Sequence, residues 1–77
     1  MKNTTVTYSI VLDIEHAAKV MGPDYGRVVM IKHHLTKDRT FSSESVAREA
    51  IAAFCTKKEL PTSIFYLVET TTTRRRI

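Results

Sequence analysis

The stretch that decides the fold is Ser42-Ser43-Glu44-Ser45-Val46-Ala47-Arg48-Glu49-Ala50-Ile51-Ala52-Ala53-Phe54. Its apolar residues recur at helical spacing and form one stripe, made of Val46, Ala47, Ala50, Ile51 and Phe54. A single helix cannot bury such a stripe alone, so it needs a sheet to pack on. The sequence therefore predicts one amphipathic helix lying on a sheet whose strands come from both sides of it.

The residues around this stretch set the start of the helix. Either Ser42 or Ser43 can cap the free N–H groups of the first turn, and Glu44 suits the positive end of the helix dipole. Glu44 also precedes Arg48 by four residues, which is the favourable order for an ion pair.

The other end of the helix is marked by two cations and a proline. Lys57 and Lys58 fall in the last turn, where positive charge is favoured, and Pro61 cannot continue the helix. We therefore expect the helix to run from Ser43 to about Lys58.

The clearest strand precedes this helix. From Thr4 to Glu15 apolar and polar residues alternate strictly, which predicts a strand with one face on a core and the other toward solvent. The stretch Gly22–Gly26 has the residues of a turn, and we expect a hairpin there. Arg27–Leu35 is predicted as the second strand and Thr40–Phe41 as a short third one.

A last strand follows the helix. Residues Ile64–Val68 are apolar on both faces, and the threonines of 70–73 favour a strand that tolerates water. The order ββ(β)αβ predicts an α+β fold with one helix packed on a mainly antiparallel sheet. An exposed edge of this last strand is a template for pairing, so we expect a symmetric dimer.

Length and composition indicate a small globular protein. The chain has 77 residues, which we interpret as a single domain over 1–77 with a basic C-terminal end at about 70–77. No signal peptide and no apolar run of membrane-spanning length is visible, so we expect a cytoplasmic protein without a membrane partner. The single cysteine, Cys55, adjoins the apolar stripe and is interpreted as a buried thiol.

The charge distribution gives the leading functional hypothesis. The formal net charge is +4, and an excess of cations near the C-terminus suggests an anionic partner such as nucleic acid. A solvated tail that only maintains solubility is the alternative. The candidate nucleic-acid-binding residues are Arg74, Arg75, Arg76, Lys57, Lys58, Lys32 and Arg39.

Other chemistry finds little support in the sequence. His33 and His34 would point to opposite faces of a strand, with His33 buried and His34 exposed, so no metal site and no cofactor is expected. Asp13 and Glu15 would share the solvent-exposed face of the first strand. No nucleophile–base motif and no phosphate-binding glycine loop is present, so we expect no enzymatic activity.

In size and style, with one helix at Ser42–Phe54 and a strand 65–69 running into Thr70–Arg76, the chain resembles the small accessory proteins of bacteriophages. These include inhibitors of host defence systems, and the resemblance implies action by binding, often as a dimer, to RNA or to a protein.

Two hypotheses follow. The first is a dimeric, basic protein that binds nucleic acid, RNA more than DNA, mainly through phosphates. The second is a protein-binding inhibitor or adaptor that engages a host protein through a sheet edge.

Overall fold

The computed structural model of the chain describes residues 2–75. In chain order its elements are β1 (Lys2–Leu12), α1 (Ile14–Met21), α2 (Tyr25–Ile31), α3 (His33–Thr36), α4 (Glu44–Lys58) and β2 (Phe65–Arg75). Short 3-10 turns cover Gly22–Asp24 and Thr62–Ile64. The predicted α+β class is confirmed, with the helices covering one face of the sheet.

The sheet is a two-stranded antiparallel ribbon formed by β1 and β2. The register runs without interruption from Leu12 opposite Phe65 to Lys2 opposite Arg75. The predicted strand at residues 4–15 is confirmed as far as Leu12. The predicted last strand and its antiparallel pairing are also confirmed.

The predicted strand Arg27–Leu35 is wrong, since this segment forms α2 and α3. Its buried residues are Val28 and Leu35, with Ile31 half-buried between them. That spacing of three and four residues is helical, whereas the predicted strand would have buried alternate positions. The β-branched composition favoured a strand, and packing against the core overrode this preference.

The other two predicted features of the first half are also different in the structure. The predicted third strand at Thr40–Phe41 is reduced to one isolated bridge, between Phe41 and Tyr8. The predicted hairpin is a 3-10 turn between two helices, where Gly22 caps α1 with φ of 55° and donates its N–H to Ala18. The order ββ(β)αβ with one helix is therefore wrong in its first half.

The start of α1 depends on Asp13, which the sequence analysis placed on the first strand. Its backbone N–H donates to the carbonyl of Ile64 at 2.8 Å and so extends the ribbon. Its carboxylate accepts the backbone N–H of His16 at 3.1 Å and so caps the helix. Asp13 is thus the residue that joins β1 to α1. Glu15 is an exposed residue of the first helical turn.

The predicted central helix is confirmed as α4. The predicted ion pair between Glu44 and Arg48 is confirmed at 2.8 Å. The buried stripe consists of Ala47, Ile51 and Cys55, whereas Val46 is 49% exposed. The prediction for Val46 is wrong because its position falls beside this stripe rather than within it.

The two ends of α4 also differ in detail from the prediction. Ser43 occupies the N-cap position, but its hydroxyl contacts the Ser45 hydroxyl at 2.9 Å instead of a backbone N–H. The helix ends at Glu59, which adopts the left-handed conformation with φ of 56°, two residues before Pro61. Leu60 then donates its N–H to the Cys55 carbonyl and turns the chain toward β2.

The core lies at one end of the ribbon. The sheet contributes Ile10, Leu12 and Phe65, and the remaining core residues come from the helices and their connections, namely Ala17, Val28, Leu35, Ile51, Cys55, Leu60 and Ile64. The protein is 53 Å long, and its radius of gyration of 14.9 Å exceeds the roughly 11.5 Å of a compact chain of this length. The part of the ribbon far from the core therefore projects from the body.

Candidate nucleic-acid interface

The projecting part of the ribbon, residues 2–7 of β1 and 70–75 of β2, is called here the outer ribbon. It extends roughly 20 Å past Glu69, since a strand advances about 3.4 Å per residue. Thr4 and Thr5 are exposed, as are all residues of 70–73, while Val6 and Thr7 are half-buried. Its described side chains are mostly threonine hydroxyls, which can donate hydrogen bonds to phosphate oxygens.

The register brings cationic residues from both ends of the chain to the far end of the outer ribbon. Lys2 is paired with Arg75, and Asn3 is paired with Arg74. Arg76, also a predicted site residue, lies outside the described residues. Lys2 was missed by the sequence analysis, because only the pairing of the first strand with the last places it beside the arginines.

The predicted site residues Lys57 and Lys58 lie in a different part of the molecule. They occupy the last turn of α4, close to the start of β2, where Arg27 Nη1 donates to the carbonyl of Lys58 at 2.9 Å. Arg74 is roughly 30 Å further along β2. The structure therefore does not gather these lysines and the arginines into one patch.

The predicted site residues Lys32 and Arg39 are separate again. Lys32 is half-buried between α2 and α3. Arg39 is exposed, donates from Nη1 to the carbonyl of His34 at 3.2 Å, and places its guanidinium 5.1 Å from the centre of the Phe41 ring. Because Phe41 is bridged to Tyr8, Arg39 lies beside the middle of β1.

Among the described side chains, the only ion pair within 4.0 Å is the one between Glu44 and Arg48. The described candidate cations Lys32, Arg39, Lys57 and Lys58 are thus not neutralised by a carboxylate of the described chain. Their charge remains available to an anionic partner.

Within residues 2–75, the face of the ribbon opposite the helices is uncovered. Tyr66 is 48% exposed there and Val68 is 39% exposed, with the half-buried Val11 and Ser9 as their cross-strand neighbours. Tyr66 is therefore outside the core, while Tyr8 is half-buried on the helical face. An exposed tyrosine ring on a flat face can stack on a nucleic-acid base.

The histidines form no metal or catalytic arrangement among residues 2–75. His33 and His34 are both exposed on α3 with ring centroids 4.1 Å apart, so the expected burial of His33 is wrong. In the described part of the chain, no group of three or more His, Cys, Asp or Glu residues is arranged to hold a metal ion.

The pair His16 and Ser63 is the closest approach to a nucleophile–base arrangement. His16 Nε2 lies 3.3 Å from Ser63 Oγ, in an exposed position that the sequence analysis did not foresee. Catalysis by such a pair also needs a group that orients the imidazole. The nearby carboxylate of Asp13 accepts the His16 backbone N–H, and among the described residues no other side chain is hydrogen-bonded to the imidazole.

No protein-family model matches the chain, and comparisons with curated proteins and with solved structures gave no significant match. Within the described residues, no helix has the length and apolar character needed to cross a membrane.

Proposed function

We propose that this protein is a non-enzymatic, cytoplasmic binding protein that holds nucleic acid through its phosphates, with the outer ribbon as the binding element. It acts as a dimer, and RNA is its preferred ligand over DNA.

The observation that supports this proposal is the register of the ribbon. It places Lys2, Arg74 and Arg75 at one end of a projecting element whose remaining surface is rich in exposed threonine. Arginine is suited to bind phosphate through two parallel hydrogen bonds, and threonine adds neutral donors along the backbone. A projecting arm of this kind reaches a ligand without hindrance from the helical body.

The shape of the ribbon also limits the form of the ligand. A two-stranded ribbon fits the major groove of B-form DNA, whereas the major groove of duplex RNA is too narrow for it. Single-stranded RNA can instead lie along the uncovered face, with a base stacked on Tyr66. Single-stranded RNA is therefore the first ligand to test, and duplex DNA is the comparison.

The experiment measures the dissociation constant for both ligands at two salt concentrations. Replacing Arg74, Arg75 and Arg76 with alanine is expected to weaken binding at least tenfold and to flatten the salt dependence, because about three phosphate contacts are lost. The matched control replaces Lys57 and Lys58, which are cationic but at the other end of the molecule, and is expected to have a smaller effect. Unchanged binding of the arginine variant, or a flat salt response of the natural protein, would contradict the proposal.

A protein-binding role is the second candidate, supported by the outer edge of β2, which pairs with no strand within residues 2–75. Such an edge can take up an extended segment of another protein. Purification from a host lysate after nuclease treatment separates the two roles. One stoichiometric protein that survives digestion favours the second candidate, and loss of all partners favours the first.

The resemblance to phage-encoded inhibitors adds a cellular role to the proposal. Binding would occupy the nucleic acid, or the protein, on which a host defence system depends. The test is whether expression of the chain in a bacterial host relieves restriction of an infecting phage.

A further inference from the structure

The bridge between Tyr8 and Phe41 determines which way the backbone groups of the ribbon point. Tyr8 donates its N–H to Phe41 at 2.8 Å and accepts the Phe41 N–H at 2.9 Å, so both of its backbone groups point away from β2. Tyr8 and Glu69 are therefore a non-hydrogen-bonded pair of the ribbon, and the backbone groups of Glu69 point to the free side of β2. Because the backbone groups of successive residues in a strand point to alternate sides, those of Leu67, Thr71 and Thr73 also point to the free side of β2.

This free edge of β2 lacks most of the protection that is usual for an exposed strand. Natural edge strands are kept from pairing by charged side chains, especially lysine, or by proline, a bulge or a short length. The charged residues of β2 are Glu69, Arg74 and Arg75. Phe65–Arg75 is eleven residues long, contains no lysine or proline, and its register shows no bulge. The edge of β1, in contrast, is covered at Tyr8 by Phe41.

The outer ribbon is also short of stabilising contacts. The core cluster reaches only Ile10 on β1 and Phe65 on β2, with Leu67 packed against its margin. A two-stranded ribbon without a core is marginally stable in water, and three or more strands are needed for independent stability. Another strand on the free edge would supply the missing backbone hydrogen bonds.

We propose that Glu69–Arg75 pairs antiparallel with the same segment of a second copy, about a two-fold axis at Thr72. This register places Glu69 opposite Arg75 of the second copy, twice in the dimer, and Thr71 opposite Thr73. Opposite charges and threonine pairs at directly facing positions stabilise antiparallel strands.

Two other registers are less favourable. An axis at Glu69 would oppose two glutamates, and like charges that face each other are destabilising. An axis at Thr70 would bring Arg75 against Phe65, which is 7% exposed beneath the helices. The register about Thr72 involves residues 69–75, of which only Glu69 lies opposite a residue that is bridged to the body, so the two bodies lie at opposite ends of the paired segment.

This inference rests on the proposed function, because the same outer ribbon binds the nucleic acid. The two-fold axis is perpendicular to the sheet, so the helices of both copies lie on one face of a four-stranded sheet. The positions of Lys2, Arg74 and Arg75 from the two copies then lie on either side of its centre, within one continuous sheet. The partner at the free edge is thus a second copy of this chain, and pairing merges two basic ends into one surface.

Charge exchange between Glu69 and Arg75 tests the register. Sedimentation of the nuclease-treated protein is expected to show a dimer, and Glu69→Arg should raise its dissociation constant roughly tenfold or more, because two attractive pairs become repulsive. Arg75→Glu should do the same. The double variant Glu69→Arg with Arg75→Glu restores opposite charges and should restore the dimer. A natural protein that stays monomeric, or a dimer that neither single variant weakens, would overturn the proposal.

A second pair of variants tests the edge itself. Thr71→Pro removes an N–H that points to the free side, which an edge strand tolerates, so a folded monomer is expected. Thr72→Pro removes an N–H bonded to β1 and should disrupt the ribbon, as circular dichroism would show. A Thr71→Pro dimer as stable as the natural one would contradict pairing at this edge. A natural protein that dimerises but does not bind RNA would refute the nucleic-acid-binding role alone. A natural protein that binds RNA as a monomer would refute the dimer alone.

Discussion

Tyr8 and Phe41 exchange two backbone hydrogen bonds, of 2.8 and 2.9 Å, across the outer edge of β1. This bridge ties the connection before α4 to the middle of the ribbon. The Phe41 ring also packs against the core cluster on one side and lies under the Arg39 guanidinium on the other. One residue thereby joins the helical body to the sheet and closes one of the two ribbon edges.

The first prediction concerns this contact. Phe41→Ala should lower the free energy of unfolding by about 2–3 kcal/mol, because a half-buried ring is lost from the margin of the core. Urea unfolding followed by circular dichroism measures the change. Arg39→Ala removes the exposed partner of the ring and an exposed hydrogen bond to the His34 carbonyl, and should cost less than about 1 kcal/mol. Equal losses of unfolding free energy in both variants would show that the contact of the Arg39 guanidinium with the ring, and not burial of the ring, accounts for the stabilisation.

The second prediction tests the orientation of α4. Ile51 is 7% exposed and Val46 is 49% exposed, although both belong to the apolar stripe expected from the sequence. Ile51→Ala should cost roughly 2–4 kcal/mol of stability, since it leaves a cavity in the core. Val46→Ala should change stability by no more than about 0.5 kcal/mol. Chemical denaturation of both variants is the measurement, and a larger loss at Val46 would mean that the helix is rotated.

The third prediction concerns the end of α4. Glu59 holds φ of 56°, a conformation that disfavours residues with a Cβ atom. Glu59→Gly should therefore stabilise the protein by about 0.5–1 kcal/mol, measured as a higher melting temperature. Glu49→Gly, in the middle of the same helix, is the matched control and should cost about 1 kcal/mol. Destabilisation by Glu59→Gly would argue against the left-handed cap.

The fourth prediction follows from the buried thiol. The expected burial of Cys55 is confirmed at 2% exposure, and burial raises the pKa of this thiol above its ordinary value. The folded protein therefore resists ionisation of Cys55 more than the unfolded chain does. The stabilising contribution is present below the ordinary thiol pKa and is lost as the pH rises through and beyond it.

The measurement compares unfolding at neutral and alkaline pH in the natural protein and in Cys55→Ala. The natural protein should lose more stability at alkaline pH than the variant does, because the variant lacks the thiol. The other titratable groups are present in both proteins and affect them equally. Thiol reagents should modify Cys55 only after unfolding. Rapid modification of the folded protein at neutral pH would contradict burial.

Local patterns in the sequence predicted the elements that carry strong signals. Strict alternation identified β1, and the capped apolar stripe identified α4 with nearly correct ends. The strand prediction for Arg27–Leu35 is wrong because its run of β-branched and apolar residues fits both the strand period of two residues and the helical period of about 3.6 residues. Only burial of Val28 and Leu35 against the core selects the helical one.

The candidate site was predictable only in part. The arginines near the C-terminus were visible as a basic run, but their position at the end of a projecting ribbon was not. Lys2 and Arg75 are 73 positions apart in the sequence, and nothing near either residue signals the other. Similarly, the sequence alone does not distinguish the basic residues Lys57 and Lys58 from the arginines, and only the fold separates them.

By itself the sequence determined the alternating first strand, the last strand that is apolar on both faces, the amphipathic helix and the excess of positive charge, because each depends on side chains a few residues apart. Tertiary structure alone decided that β1 pairs with β2, that Lys2 lies opposite Arg75, and that one strand edge stays unpaired within residues 2–75. The physical reason is that register depends on which apolar side chains share a core. Ile10, Leu12 and Phe65 meet beneath the helices, and their burial fixes the pairing of every residue beyond them.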